Sequence, residues 1–224
     1  MGLRHEHKHI ISYADRCLLR TRLSAIMKRD KNALSDGRYK IRSLYFDNLY
    51  DNALREKLDG VNIREKFRLR YYNGDLSYIC LEKKSKINGL CKKESVVVTK
   101  EEVSAILSGD IAWMKNSERQ LLTELYSKMQ SEGLAPKTIV DYTREAFTFS
   151  AGNVRVTFDY DVRTGIRNTD FLNPDSATIS VIDSGIILEV KWDEFLPDVI
   201  RNALQLGCVR RQAYSKYAAC RVFG

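Results

Sequence analysis

The stretch Ile63-Arg-Glu-Lys-Phe-Arg-Leu-Arg-Tyr-Tyr72 places Arg64, Lys66, Arg68 and Arg70 at every second position. Alternate side chains of an extended strand share a face, so this spacing predicts a β-strand with four cations on one side and Phe67 and Leu69 on the other. Like charges along a sheet repel one another, and such a face needs either full solvation or something anionic in front of it. A charged, water-facing edge strand would satisfy the first condition. The same alternation returns, however, in Arg4, Glu6 and Lys8, in Glu82 and Lys84, in Arg155, Thr157, Asp159 and Asp161, and in Glu189 and Lys191. That is more ionic faces than exposed edges require.

The opposite faces of these strands are apolar. Val154, Val156, Phe158 and Tyr160 oppose Arg155, Thr157, Asp159 and Asp161, and Leu188, Val190 and Trp192 oppose Glu189 and Lys191. If helices cover the apolar faces, a curved antiparallel sheet closes with its ionic faces inward, giving a polar tunnel instead of a dry barrel core. Confined cations are costly alone, whereas a chain of phosphates supplies one charged acceptor after another.

The remaining pattern supplies the helices. Ser12 with Asp15 forms a capping box ahead of Leu19, Leu23, Ile26 and Met27, an apolar stripe expected to pack as core; Thr99 with Glu102 opens another helix. Further helices are expected over 48–58, over 117–131 closed near Gly133, around Leu196 to Leu204 stopped by Gly207, and over 213–221. Strands are expected at the N-terminus, over 39–46, 61–72, 76–84, 90–98, 137–149, 153–163 and 186–193, with the turn signal Ala-Gly-Asn at 151–153. The fold class is therefore α+β, as one domain over 1–224.

The 224 residues suffice for a core of their own, and 37 Lys plus Arg against 29 Asp plus Glu give a formal charge of +8, which suits a polyanionic partner. Five cysteines at 17, 80, 91, 208 and 220 form no Cys-x-x-Cys pair, which fits a reducing, cytoplasmic setting. The charged N-terminus reads as neither a signal peptide nor a membrane span. There is no Gly-x-x-x-x-Gly-Lys loop, no Gly-x-Gly-x-x-Gly and no nucleophile elbow. Nucleic acid ranks low as a partner, because the aromatics form no stacking platform among the cations.

Several segments taken in order resemble the VTC domain, the polyphosphate polymerase domain of the triphosphate tunnel metalloenzyme (CYTH-like) superfamily. They are Arg4-His5-Glu6-x-Lys8, Ser43-Leu44-Tyr45-Phe46-Asp47, Glu65 to Tyr72, Leu81-Glu82-Lys83-Lys84-Ser85-Lys86, Asp141-Tyr142-Thr143-Arg144-Glu145, Asn153 to Thr157 with Asp159, Leu188-Glu189-Val190-Lys191 and Tyr214-Ser215-Lys216-Tyr217. The resemblance implies an eight-stranded antiparallel β-barrel tunnel flanked by helices. It also implies phosphoryl transfer from ATP or another nucleoside triphosphate to inorganic polyphosphate, with Mn2+ or Mg2+ as cofactor. Lys8, Arg68, Arg70, Lys84, Arg144, Arg155 and Lys216 match the basic phosphate ligands, with Lys93 a looser match, and Glu189 matches the metal-binding glutamate. Glu6 and Glu82, with Asp159, are the further acids of that interior. Some members work with membrane-embedded components, which would make a separate membrane protein a partner.

Plainer readings stand beside these. Arg68 and Arg70 could simply pair with acids on adjacent strands, and Glu189 could be the partner of such an arginine. His5, His7 and His9 lie on the face opposite Glu6 and Lys8, and are expected at the surface or against a helix and not on a metal. Lys83 and Lys86 are expected to be solvated. The alternative activities are a triphosphatase or related tunnel hydrolase, and a catalytically weak polyphosphate-binding module.

Overall fold

A computed structural model describes residues 4–181, 185–206 and 214–221. In chain order it contains β1 (His5–Ile11), α1 (Tyr13–Ile26), β2 (Lys28–Arg29), β3 (Arg38–Asp47), α2 (Asn52–Leu58), β4 (Ile63–Tyr72), β5 (Asp75–Ile87), β6 (Leu90–Val98), α3 (Lys100–Ser108), α4 (Gln120–Glu132), β7 (Ala135–Phe149), β8 (Val154–Thr164), β9 (Ile179–Ser180), β10 (Ile186–Trp192), α5 (Asp198–Ala203) and α6 (Lys216–Arg221). The strands form one ten-stranded sheet whose main path runs β1-β10-β8-β7-β3-β4-β5-β6, with β2 paired to β7 and β9 to β8 off that path. Every paired ladder is antiparallel.

The expected eight-stranded closed barrel is corrected here. The path has eight strands, but among the described residues its ends β1 and β6 share no ladder and meet at one isolated bridge, where Arg4 and Cys91 exchange N–H···O bonds of 3.2 and 3.3 Å. The sheet therefore curls strongly without closing as a continuous barrel. The expected strand that differs most is β5, which runs to Ile87 where the alternation suggested an end at 84. β2 and β9, at two residues each, are too short to leave a period in sequence.

The convex face carries the helices for the expected reason. Phe67, Leu69, Ile79 and Leu81 pack under α3 and α4 through Val103, Ile106, Leu122 and Leu125. Phe147, Val156, Phe158 and Leu188 pack under α1 and α5 through Leu19, Leu23 and Ile200. Ser12 and Thr99 both form the expected capping boxes. Gly133 ends α4 at φ +67°, a conformation that suits glycine. α1 is also pinned electrostatically: Arg16 pairs with the buried Glu145, and Arg20 reaches the same carboxylate at 3.1 Å. Gly207 lies outside the described residues, as does Cys208.

A third cluster departs from the simple division into an apolar outside and an ionic inside. Tyr39, Ile41, Tyr45, Tyr142 and Ile187 gather on the concave side with Tyr217 and Cys220 of α6. The concave side is thus part apolar, and that part seats α6. No helix among the described residues is long and apolar enough to cross a membrane.

Candidate functional site

The alternation predicted from sequence delivers its cations to the concave side. The diagnostic contact is Lys84 Nζ to a Glu6 carboxylate oxygen at 2.7 Å, because Glu6 is on β1 at one end of the sheet path and Lys84 on β5, one strand in from the other end. Only a curled sheet lets those two side chains meet across its hollow. Arg155 of β8 donates to the Tyr39 hydroxyl of β3 at 2.7 Å across the intervening β7. Arg70 of β4 likewise reaches the Tyr142 hydroxyl of β7 at 3.0 Å across β3.

Three acidic centres organise this interior. Glu82, 2% exposed, accepts from Arg68 at 2.6 Å and from Lys93 at 2.9 Å, with Arg70 at 3.7 Å. Asp159, fully buried, takes both forks of Arg144 at 2.6 and 2.7 Å and the Lys216 ammonium at 2.5 Å. Glu189 and Glu6, on the paired strands β10 and β1, share Lys8 at 3.3 and 3.2 Å and Lys191 at 2.7 and 3.5 Å. Arg155 stands apart, bound to Asp30 at 2.7 Å. Each acid has more cationic partners than one charge can balance, so the interior carries surplus positive charge.

The electrostatics follow from that surplus. Burial alone would raise the Glu189 carboxyl, but Lys191, Lys8, Lys84 and Arg144 hold it well below the usual range. Burial likewise opposes ionisation of Glu82, and Arg68, Arg70 and Lys93 overcome it. Asp159 is buried too, and Arg144 with Lys216 brings it down to about 2. Burial would raise the Tyr45 hydroxyl, yet Arg68 and Arg70 lower it to about 8. Glu6, Glu82, Asp159 and Glu189 are therefore ionised at neutral pH, and each already occupies the place of an anion among cations.

Sequence reading therefore placed Lys8, Arg68, Arg70, Lys84, Lys93, Arg144, Arg155, Lys216 and Glu189 on one concave side. It missed the aromatic lining. Tyr45 lies beneath Arg68, and Tyr142 lies beneath Arg70, Arg144 and Lys216, whose Nζ is 4.6 Å from the ring centroid. Tyrosine counts as apolar in a strand pattern, so only its position in register with the cations could have revealed it. Asp161 does not join the interior: a bulge between β7 and β8 gives it a positive φ of 51° and turns it outward. Lys83 is not solvated, because it pairs with Glu94 and Glu124 on the convex side. His5 and His7 pack on Trp192, as their outward face predicts.

A model of the VTC domain matches residues 3–223. The chain belongs to the VTC domain family. No curated protein sequence matches it. Its fold is similar to that of a candidate adenylate cyclase from Bacillus halodurans, with TM-score 0.47, 12% identity, and coverage of 85% of this chain and 82% of that one. It is similar also to a protein from Pyrococcus horikoshii OT3, with TM-score 0.46, 13% identity and coverage of 90% and 85%. A candidate adenylate cyclase from Vibrio parahaemolyticus gives TM-score 0.46, 11% identity and coverage of 90% and 82%. These likenesses are weak and carry no activity across to this VTC domain.

The donor set of this VTC domain suits a hard divalent ion only in part. Among the described residues no group of three or more His, Cys, Asp or Glu side chains stands close enough to hold an ion unaided. Glu6 and Glu189 stand close enough that the Glu189 charge opposes ionisation of the Glu6 carboxyl. Two carboxylates with phosphate oxygens and water in the remaining positions is a pattern magnesium and manganese accept. The residues fit a divalent ion only where further oxygen ligands come from outside the chain.

Proposed function

We propose that this VTC domain is a polyphosphate polymerase, moving the terminal phosphoryl group of a nucleoside triphosphate such as ATP onto the end of a polyphosphate chain held in the concave interior. The observation that carries the reading is the shared-acid arrangement, in which Arg68, Arg70, Lys84, Lys93, Arg144, Arg155, Lys216 and Lys8 outnumber the acids they contact. A linear phosphate chain can take over those contacts oxygen by oxygen, since guanidinium forks grip two oxygens and lysines supply mobile point charges.

In the reaction an oxygen of the acceptor chain attacks the terminal phosphorus, the bond from that phosphorus to the bridging oxygen breaks, and the nucleoside diphosphate leaves with the electron pair. The acceptor is already anionic, so no protein nucleophile is needed and alignment supplies much of the rate. Arg68 and Arg70, fixed by Glu82, Ser43 and Tyr142, are the rigid donors, and they stabilise charge spread over the transferred group without having to reorganise. Arg144 and Lys216 are held in the same way by Asp159 over the Tyr142 ring. Glu189, with Glu6 beside it, would hold a manganese or magnesium ion that neutralises phosphate charge when bound.

Incubation of the purified chain with ATP and manganese, followed by sizing of the phosphate products on a gel, tests the reading. A ladder of lengthening chains is the expected result. Orthophosphate alone would replace the polymerase with a hydrolase, and chain binding without turnover would leave a binding module.

A further inference from the structure

The interior row of β4 does not end with the arginines held by Glu82. It continues through Lys66, which stands opposite Lys84, to Arg64, which stands opposite Lys86. Lys86, expected at the solvated surface, therefore belongs to this row. Among the described residues the Lys66 ammonium is buried with no hydrogen-bond acceptor; it lies 4.9 Å from the Tyr217 ring centroid.

The groups around Lys66 explain why it lacks one. Tyr45 and Asp47 face it from β3, Arg64 from its own strand and Lys57 from α2. The Tyr45 hydroxyl accepts from Arg68. The Asp47 carboxylate is taken by the backbone N–H groups of Asn48, Ala53 and Leu54 and by the Tyr217 hydroxyl. Burial foremost, with Arg64 and Lys57 adding to it against Tyr45 and Asp47, brings the Lys66 ammonium down to about 8. Lys57 is lowered in turn by burial and then by Arg64, Lys8 and Lys86, so cations converge here from α2, β1, β4 and β5.

Lys66 and Arg64 also line a cavity of about 430 Å³ beside α2. Its lining acids are Asp47, Glu56, Glu65 and Glu132. Glu65 and Glu132 are held by Lys128 at 2.8 and 2.6 Å, Asp47 is taken by the contacts above, and burial, with Asp47 and Glu132, raises the Glu56 carboxyl. A buried ammonium without an acceptor is costly, and a phosphate oxygen relieves that cost. From Arg70 to Arg64 the row spans about 20 Å at the rise of a strand, longer than a triphosphate.

We propose that Lys66, with Arg64 and Lys86 beyond it, forms a further phosphate subsite where β4 begins, engaging phosphates that only a chain longer than triphosphate reaches. The inference rests on the phosphate-chain reading above and narrows the ligand to long linear polyphosphate. It is tested by isothermal titration at low salt, without nucleotide, of sodium tripolyphosphate and of size-fractionated long-chain polyphosphate into the full chain, Lys66→Gln and Lys66→Arg. Lys66→Gln should bind tripolyphosphate as the unmodified chain does but lose roughly tenfold in affinity for the long chain, and Lys66→Arg should keep both. Ligand-free Lys66→Gln should melt higher, since an unpaired buried cation is gone. A lower melting temperature would make Lys66 a support of the fold and end the proposal. So would unchanged long-chain affinity, or an equal loss for both ligands, while the phosphate-chain reading would stand. If the unmodified chain takes neither ligand, both fall.

Discussion

Glu189 and Glu82 are both buried carboxylates ringed by cations, and their surroundings assign them different work. Glu82 sits between two guanidinium groups and a lysine and fixes the direction of Arg68 and Arg70. Among the described residues the ion pairs of Glu189 are with lysine ammoniums, Lys8 and Lys191, while Lys84 and Arg144 act on it from farther off, and Glu6 is on the neighbouring strand, so it can exchange mobile partners for an ion. Glu189→Gln keeps the shape and removes the charge. We expect metal-dependent turnover to collapse while metal-free tripolyphosphate binding holds or tightens, with ligand-free stability reduced by up to about 3 kcal/mol because Lys8 and Lys191 lose a partner. Turnover assays and calorimetry on the same variant check this, and full metal-dependent chain synthesis would refute the ion-binding role. The cations of the interior were legible in sequence because charge alternating with Phe67, Leu69 or Val156 puts them on one face of a strand, and the recurrence of that face in several strands favoured an interior over a water-facing edge. Their acid partners across the hollow were not. Nothing in the period of β5 or β1 says that Lys84 will meet Glu6, since that contact depends on how far the sheet curls.

At the scale of elements the decisive piece is α6, a helix of six residues too short to hold itself together. It stays in place because the Tyr217 hydroxyl donates to Asp47 at 2.6 Å and its ring stacks on Tyr45 with centroids 5.0 Å apart. The same Asp47 receives the N–H groups of Ala53 and Leu54, so one carboxylate ties α6 to the start of α2. Asp51, the residue before α2, gives no side-chain cap of its own. Through this tie Lys216 is held against Asp159 and the Tyr142 ring. Tyr217→Phe should therefore cost about 1.5 to 3 kcal/mol of stability, the range for a hydrogen bond to a charged acceptor, and weaken tripolyphosphate binding severalfold by loosening Lys216. Melting temperature and titration on the variant decide it, and unchanged affinity would show that α6 does not depend on the hydroxyl. Sequence showed the longer helices through their caps and stripes, as at Ser12 and Thr99. It could not show the role of α6, since a tyrosine after a lysine carries no sign of the aspartate it will meet on another strand.

For the whole molecule, strand order is what turns local alternation into a site. β1, the first strand, lies beside β10, the last, and β3 lies between β7 and β4, so residues far apart in sequence share one concavity. Alternation predicted that ionic faces would turn inward, but closure depends on strand stagger, which alternation does not encode, and among the described residues the ends meet at the Arg4 to Cys91 bridge. Such an interior makes stability depend on pH in a definite direction. Asp159 is lowered to about 2, and Glu6, Glu82 and Glu189 are also lowered, so the unfolded chain binds more protons than the folded one in mild acid. The stabilisation from these carboxylates is fully present above their unfolded values, roughly pH 4 to 5, and is lost as pH falls towards their folded values. Melting temperature should thus drop steadily between about pH 5 and about pH 3, and a flat profile there would mean the ion pairs of the interior do not form in solution.

The same surplus of positive charge governs how the molecule answers an anion. A ligand that binds only the folded state adds its binding free energy to stability, and one that also quiets repulsion among Arg68, Arg70, Lys84, Arg144 and Arg155 has the more reason to bind. Saturating tripolyphosphate at low ionic strength should raise the melting temperature by several degrees, since about 2.7 kcal/mol is gained at a hundredfold excess over Kd. Added sodium chloride should shrink that shift, because ions weaken attraction between the chain's surplus charge and the ligand before it is enclosed. Once bound, the contacts lie in a partly dehydrated interior and are screened less, so a residual shift should survive at high salt. Differential scanning fluorimetry over a salt series separates the outcomes. A shift that vanishes entirely with salt would put the phosphate on the outer surface, and no shift at low salt would remove the anion site from the concave interior altogether.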